Sequence, residues 1–362
     1  MSKIFELFGY RLDQWTEEAE RNRAKAWCPF MDSECDGGGN RQQSAISLSD
    51  HPELAQKFPG LSKVQAGVCS LSISEGEQPW IVCPRRLLSL KSTSDNHQEQ
   101  VRKQVLSSIE LPSGSYRVWS EVKMKEGTSN ADEEEKYFDY TFDYVIAGSR
   151  RVRVSEVNSL VGMTQGAARK HAEANGYSLA LRDGEYWIED FPAAPVVIIE
   201  IMTSSTSGGN KKNRSQIAMA FEDSILVGNH SGPGINYRQV WARMVSQLIV
   251  KSQVALAWEG KTVWLIQDVL ADYITKSTAL DLRKFLATKL GEVNILSFGF
   301  DSMRKVGGVH PLVSRGVFSG PVSTHGAERG FVDIVKLGAA PSIDSLWRSL
   351  FKREVASRVH VD

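Results

Sequence analysis

A nine-residue run, Pro195 to Thr203, limits the folds open to this chain more than any other segment. It is apolar and largely β-branched on both faces, which is the pattern of a central strand covered from two sides. Glu200 nevertheless stands in its interior. A carboxylate buried in such a strand is costly unless it is paired, protonated or bound to a cation. The run therefore predicts a sheet whose interior contains a polar site.

Two strand-like runs upstream each carry a further carboxylate. Tyr116 to Met124 alternates and projects Glu121, whereas Tyr137 to Ala147 has one continuous apolar face with Asp143 on the opposite, polar face. The members of that apolar face are Phe138, Tyr140, Phe142, Tyr144 and Ile146.

If these strands are neighbours, Glu121, Asp143 and Glu200 converge at one end of the sheet. Their like charges would raise one another's pKa values unless a divalent cation neutralised them, and hard oxygen ligands suit magnesium. Magnesium at that position would polarise a phosphodiester and activate a water for attack. The alternative is that Glu200 pairs with a structural arginine.

A long helix and another strand follow these runs. Asn236 has the sequence context of a helix N-cap, with Gln239 three residues later and an apolar stripe beyond it. Thr262 to Ile266 then reads as a strand. The resulting β-β-β-α-β order predicts an α/β protein with a mixed sheet and a carboxylate cluster on one edge.

All four cysteines, Cys28, Cys35, Cys69 and Cys83, fall in the first quarter of the chain. Four thiolates confined to one segment match the ligand demand of a tetrahedral metal, and the alternative is burial of free thiols. The ligands do not distinguish iron from zinc, and a closed four-thiolate shell implies a structural role. No signal peptide or membrane-length apolar stretch is recognisable, so we expect a soluble cytoplasmic protein in which these cysteines form no disulfides.

The chain has 43 basic and 43 acidic residues, so its formal net charge is zero and any attraction to nucleic acid must be local. An acidic run, Asp132 to Glu135, offsets several basic clusters. The loop Ser207 to Arg214, which contains Lys211, Lys212 and Arg214, leaves the predicted carboxylate site and could reach a phosphate backbone. For any single cluster, ordinary solvated surface charge is the alternative.

Residues 150–192 form a long connection between Asp143 and Glu200. Val154 to Leu160, a turn at Gly162 and a second helix capped by Thr164 resemble a helix-turn-helix, and Ser178 to Ile188 predicts a hairpin. The second helix would present its polar residues to base edges or phosphates, or the segment would merely pack on the sheet. The candidate DNA-binding residues on it are Gln165, Arg169 and Lys170.

Several motifs together resemble one family, the NotI-type restriction endonucleases of the PD-(D/E)xK nuclease superfamily. The resemblance spans roughly the first 125 residues and the strand core. It rests on Phe8-Gly9-Tyr10, Cys28-Pro29-Phe30, Gly67-Val68-Cys69, Ile81-Val82-Cys83-Pro84-Arg85, Phe142-Asp143-Tyr144 and Glu200-Ile201-Met202-Thr203. It implies a single structural iron on the four cysteines, a magnesium site at Asp143 and Glu200, and Glu121 as the matching upstream glutamate.

Two features depart from the family. Met202 occupies the position where the superfamily has lysine and the NotI group glutamine, and a thioether cannot orient water or stabilise a phosphorane charge. Lys123, or Lys211 reaching back from the loop, is the predicted substitute. The insertion at 150–192 is the second departure.

The resemblance implies a type II restriction endonuclease that hydrolyses double-stranded DNA at a palindromic site, leaving 5′-phosphate ends. A two-fold dimer and a cognate DNA methyltransferase would accompany it. The rival predictions are a catalytically inactive DNA reader on the same scaffold and an iron-sulfur nuclease. The predicted regions are a four-cysteine metal-binding region at 1–110, a nuclease core at 111–149 and 193–300, the insertion at 150–192, and a C-terminal region at 301–362 for DNA wrapping or dimerisation.

Overall fold

A computed structural model describes residues 2–13, 16–38, 44–74, 76–90, 98–128, 136–207, 209–277, 282–301, 308–321 and 341–361. The predicted acidic run at 132–135 lies outside these ranges. No helix in the described ranges is long and apolar enough to cross a membrane.

The strands are β1 Lys3–Leu7, β2 Tyr10–Arg11, β3 Trp27–Cys28, β4 Ser33–Glu34, β5 Ala45–Ser47, β6 Lys63–Gln65, β7 Val68–Ser72, β8 Trp80–Ile81, β9 Gly114–Thr128, β10 Lys136–Arg153, β11 Leu179–Arg182, β12 Glu185–Met202, β13 Thr206–Ser207, β14 Gly234–Ile235, β15 Lys261–Gln267, β16 Val293–Phe300, β17 Leu312–Gly320 and β18 Ser357–Val361. The α-helices are α1 Glu17–Ala24, α2 Pro52–Ala55, α3 Pro84–Leu87, α4 Glu99–Ser108, α5 Val154–Val161, α6 Gln165–Ala174, α7 Ile217–Leu226, α8 Tyr237–Ala257, α9 Asp268–Ser277 and α10 Ile343–Phe351, with 3-10 turns at Leu48–Asp50 and Leu282–Phe285.

The main sheet has the strand order β17-β16-β15-β12-β10-β9-β18, with β11 added to the outer part of β12. β9, β10 and β12 form an antiparallel meander, whereas β15 runs parallel to β12 and is reached through α8. The predicted mixed α/β sheet with a β-β-β-α-β order is therefore confirmed. Its central strand β12 is the run that contains Glu200.

Apolar cores cover both faces of this sheet. On one face lies the insertion-side core, to which α5, α6, α10 and the last turns of α8 contribute. On the other face lies the N-terminal-side core, built by α3 and α4. β12 supplies Ile198 to the first core and Ile199 to the second, as expected for a strand covered from two sides.

The predicted continuous apolar face of β10 is wrong. Phe138 and Phe142 enter the insertion-side core, but Tyr144 and Ile146 enter the N-terminal-side core. The neighbouring strand β9 has a left-handed residue at this level, Glu121 with φ +53°, which breaks the regular alternation of the strand pair. The change of face occurs at Asp143, so the irregularity lies where the candidate site begins.

The insertion has the predicted local structure. Gly162 ends α5 in a left-handed conformation, and the Thr164 side chain accepts a hydrogen bond from the Ala167 N–H to cap α6. β11 and β12 then form a hairpin whose turn residues, Asp183 and Gly184, both have positive φ, as a tight type I′ turn requires. The β12 half of this hairpin continues directly into the central strand, so the insertion is an extension of the core sheet.

The sheet also crosses the predicted boundary at residue 300. β17 and β18 lie at its two edges, and α10 places Leu346, Trp347 and Phe351 in the insertion-side core. The described part of residues 301–362 is thus integral to the fold.

A second, smaller sheet with the order β2-β1-β7-β8 organises the N-terminal region. Glu6 on β1 is fully buried and holds the equally buried Arg86 of α3 through two hydrogen bonds of 2.9 Å. Arg86 also donates to the carbonyl of His310 at 2.6 Å and lies between the rings of Phe30 and Phe300. This ion pair joins β1 to the helix that follows Cys83, and the bond to His310 links both to the segment before β17.

We expect Glu6→Gln to lower the free energy of unfolding by about 3–5 kcal/mol, because it leaves the Arg86 cation buried without a counter-charge. Urea unfolding monitored by fluorescence measures the change. Asp13→Asn, which removes the exposed partner of Arg11, is the control and should change little. Equal losses in the two variants would contradict the role given to the buried pair.

Candidate functional site: a carboxylate and lysine pocket

Glu200 is 2% exposed and lies near the carboxyl end of β12, which is flanked by β10 and β15. Its Oε2 accepts a 2.5 Å hydrogen bond from Nζ of Lys251, which is itself 3% exposed in side-chain terms. Its Oε1 is buried and has no hydrogen-bond partner. Glu200 is therefore paired on one side only, which leaves one oxygen for a further ligand.

Asp143 is held beside Glu200 by the backbone of the same strand. Its Oδ2 accepts a 2.7 Å hydrogen bond from the Ile201 N–H across the β10–β12 pair. The carboxylates of Asp143 and Glu200 line one cavity of about 400 Å³. The cavity is lined by Asp139, Tyr140, Thr141, Asp143, Glu200, Ile201, Met202, Arg243, Gln247 and Lys251.

Burial and the proximity of the two carboxylates shift their titration. The pKa of Glu200 is raised to about 8, first by burial and then by the charge of Asp143, while Lys251 opposes the rise. Burial also raises the pKa of Asp143, against the hydrogen bond from Ile201 and the charges of Lys251 and Arg85. The pocket thus favours a positive charge next to its carboxylates.

Lys251 is the functional residue that sequence reasoning missed. It lies on α8, and its Nζ also donates to the Thr141 carbonyl at 2.7 Å. The apolar stripe of α8 predicts a helix packed in the core. A single lysine in that helix does not by itself predict a functional site. The available signal was the polar series Arg243, Gln247 and Lys251, which repeats every four residues and so shares one helix face.

Met202 is 7% exposed and lines the pocket without supplying a polar group. The two predicted substitutes, Lys123 and Lys211, are exposed and do not line this cavity. The cation beside Glu200 is instead Lys251, because α8 packs its polar face against the carboxyl end of β12.

Glu121 is brought near the pair but turned away from the cavity. Its carboxylate accepts a 2.8 Å hydrogen bond from Arg85, which also contacts Asp36 at 3.2 Å. The left-handed backbone at Glu121 aims its side chain towards the segment that follows Cys83. Among the described residues, Asp143 and Glu200 are the two predicted carboxylates that share a cavity.

The two carboxylates suit magnesium. Magnesium is commonly bound by one or two protein carboxylates, with waters and substrate phosphate completing its shell. The unpartnered Oε1 of Glu200 and the neighbouring Asp143 provide that number of hard oxygen ligands. Larger sets are absent: in the described ranges no group of three or more His, Cys, Asp or Glu side chains could hold a metal ion.

The four cysteines gather in one place without forming such a group. Cys28, Cys69 and Cys83 lie in a single apolar cluster, and Cys35 packs against it. A hydrogen bond to Cys83 and burial raise the pKa of Cys69, and burial raises the pKa of Cys28 to about 12. The cluster has the soft donors that iron or zinc prefers, and its apolar surroundings equally suit buried, protonated thiols.

Of the predicted DNA-binding residues of the insertion, Gln165 and Lys170 are exposed and Arg169 is half-buried. Gln165 and Arg169 line a second cavity of about 330 Å³ between α6 and the β11–β12 hairpin, and Lys170 is exposed beside them. The Arg169 guanidinium stacks over the ring of Tyr186, 4.6 Å from its centroid.

The three basic residues predicted to reach a phosphate backbone from the loop after β12 differ in their surroundings. Lys211 and Lys212 are exposed, but Arg214 pairs with Glu222 at 2.6 Å and with Asp223 at 2.8 Å. The charge of Arg214 is therefore matched within the chain, which leaves the two lysines as the stronger phosphate candidates of this loop.

If the cysteine cluster binds metal, protein purified without chelator should contain one iron or zinc per chain, measured by elemental analysis. We expect Cys69→Ser and Cys83→Ser to lose that metal and to lower the melting temperature, because ligation energy contributes to folding. Ser33→Ala, an exposed change in the same region, is the control. Metal-free protein whose stability is unaffected by a chelator would identify the cysteines as buried thiols, and a labile-sulfide assay separates a single iron from a cluster.

Comparison with protein-family models, with curated proteins and with solved structures finds no match to this chain. No relative therefore assigns a ligand or a catalytic residue to the pocket. What the pocket does has to be inferred from its own residues.

Proposed function

We propose that this protein is a magnesium-dependent DNA endonuclease, with its catalytic centre in the pocket formed by Asp143, Glu200 and Lys251. The observation that carries the proposal is the buried contact of Lys251 Nζ with Glu200, beside a second carboxylate and one unpartnered carboxylate oxygen. Two carboxylates and an ammonium at one point of a mixed sheet are the groups that phosphodiester hydrolysis needs.

The arrangement of elements supports assignment to the PD-(D/E)xK class. Helix α4 precedes β9, β10 and β12, and α8 leads to the parallel strand β15. Asp143 and Glu200 stand on adjacent strands of this unit. Lys251 supplies from a helix the cation that the class places two residues after the glutamate, where this chain has Met202.

The residues of the pocket would have different roles in the reaction. Magnesium bound by Asp143 and Glu200 would polarise a phosphoryl oxygen and lower the pKa of a water molecule. The Ile201 N–H fixes Asp143 for that task. Glu200 and the Thr141 carbonyl accept two of the three donors of Lys251, so the third can stabilise the negative charge that develops on the phosphoryl group.

The wider proposal concerns the substrate. The helix pair with its hairpin provides a surface for duplex DNA, on which Gln165, Arg169 and Lys170 would contact bases or phosphates. Symmetric cleavage of a palindromic site would require a homodimer and, in the cytoplasm of the host, a cognate methyltransferase. Glu121, held by Arg85, would support the metal-binding strand from outside the cavity.

The variants Lys251→Met and Glu200→Gln should reduce DNA cleavage in magnesium by at least about a hundredfold, since each removes a charge from the reacting centre. Sequencing the ends of mixed-sequence DNA digested by the wild type measures activity and target together. Both variants should still bind DNA in calcium. If the wild type binds DNA in calcium yet leaves it intact in magnesium and manganese, the protein is a DNA reader and the nuclease proposal is wrong.

The double variant Arg169→Ala/Lys170→Ala should weaken binding to the cleaved sequence by about tenfold or more, because it removes two cationic contacts. Electrophoretic mobility shift in calcium measures the affinity. The control is Leu181→Ala, which changes an exposed residue of the hairpin without altering the charge of the insertion. Unchanged affinity of the double variant would assign the insertion a packing role.

A further inference from the structure

The polar face of α8 extends beyond Lys251. Arg243, Gln247 and Lys251 are four residues apart, so they form one stripe on this helix, and all three line the carboxylate cavity. Lys251 is buried, Gln247 is half-buried and Arg243 is exposed. The stripe therefore leads from the buried carboxylates to the mouth of the cavity.

Arg243 differs from three other arginines of this chain in having no carboxylate partner among the described residues. Arg85, Arg117 and Arg214 are each paired with a carboxylate of this chain. Within the described ranges, no carboxylate forms an ion pair with Arg243, although Asp139 lines the same cavity. An unpaired guanidinium at the mouth of a pocket can form two parallel hydrogen bonds to an incoming anion.

We propose that Arg243 binds a second phosphodiester of the DNA strand, one or two nucleotides away from the phosphate that is cleaved, with Gln247 between them. This inference rests on the proposed nuclease function. Four residues of helix rise about 6 Å, so Arg243 and Lys251 are about 12 Å apart along the axis, a separation that an arginine side chain and a neighbouring phosphate can bridge. The ligand class is a polynucleotide backbone, as distinct from an isolated phosphodiester.

Arg243 is a positioning residue in this scheme. It holds the strand equally in the ground state and in the transition state, so its loss raises KM for DNA and leaves kcat nearly unchanged. Hydrolysis of bis(p-nitrophenyl) phosphate, which has no neighbouring phosphate, should be the same in Arg243→Ala and the wild type. A structural role of Arg243 would affect both substrates.

The decisive experiment replaces single phosphates around the cleavage point by uncharged methylphosphonates and measures binding in calcium. For the wild type, one position should weaken binding by about tenfold, as expected when a charge-assisted contact is lost. For Arg243→Ala, the same position should have no further effect, and the slope of log K against log salt should be smaller by about 0.9 than in the wild type. Arg243→Lys should retain the wild-type salt slope. Lys57→Ala, which changes an exposed lysine just after α2, is the control and should have the affinity and salt slope of the wild type.

The inference would be overturned if, at every position tested, the methylphosphonate weakened binding by Arg243→Ala as much as it weakens binding by the wild type. An unchanged salt slope would do the same. These results leave the nuclease proposal standing, provided that the wild type cleaves DNA. A wild type that neither binds nor cleaves DNA would overturn both.

Discussion

The buried contact between Glu200 and Lys251 is the constraint on which the rest of the site depends. A strand covered on both faces accommodates a carboxylate only if other groups compensate its charge. Here α8 supplies the counter-charge, the ammonium of Lys251, whereas Asp143 on the adjacent strand adds a second negative charge. Replacing either Glu200 or Lys251 alone would leave the other buried without a counter-charge. The position of α8 relative to β12 and the polarity of the cavity therefore depend on each other.

The N-terminal region is attached to this site through arginines. Arg86 forms the fully buried pair with Glu6, and the neighbouring Arg85 contacts Glu121 on β9 and Asp36 near Cys35. Both arginines directly follow Cys83-Pro84. The short helix α3 therefore connects the cysteine cluster to β9, the strand next to the one that carries Asp143.

Local signals in the sequence predicted much of the fold. The caps at Thr164 and Asn236 and the Asp183-Gly184 turn depend on neighbouring residues, and each was confirmed. The convergence of Asp143 and Glu200 followed from adjacent strand patterns. Lys251 was missed because it contacts Glu200 from 51 residues away, and its only local signal is its place in the polar series with Arg243 and Gln247. The change of face at Asp143 was missed for a similar reason, since a left-handed glutamate has no sequence signature.

The central claim is that Lys251 supplies the cation that is missing at position 202, and relocation of the lysine tests it most directly. Initial rates of DNA cleavage in magnesium would be compared for the wild type, Lys251→Met and the double variant Met202→Lys/Lys251→Met. The single variant should be inactive, and the double variant should recover part of the activity, because a lysine two residues after Glu200 enters the same cavity that Met202 lines. Cleavage by Lys251→Met at the wild-type rate would contradict the claim.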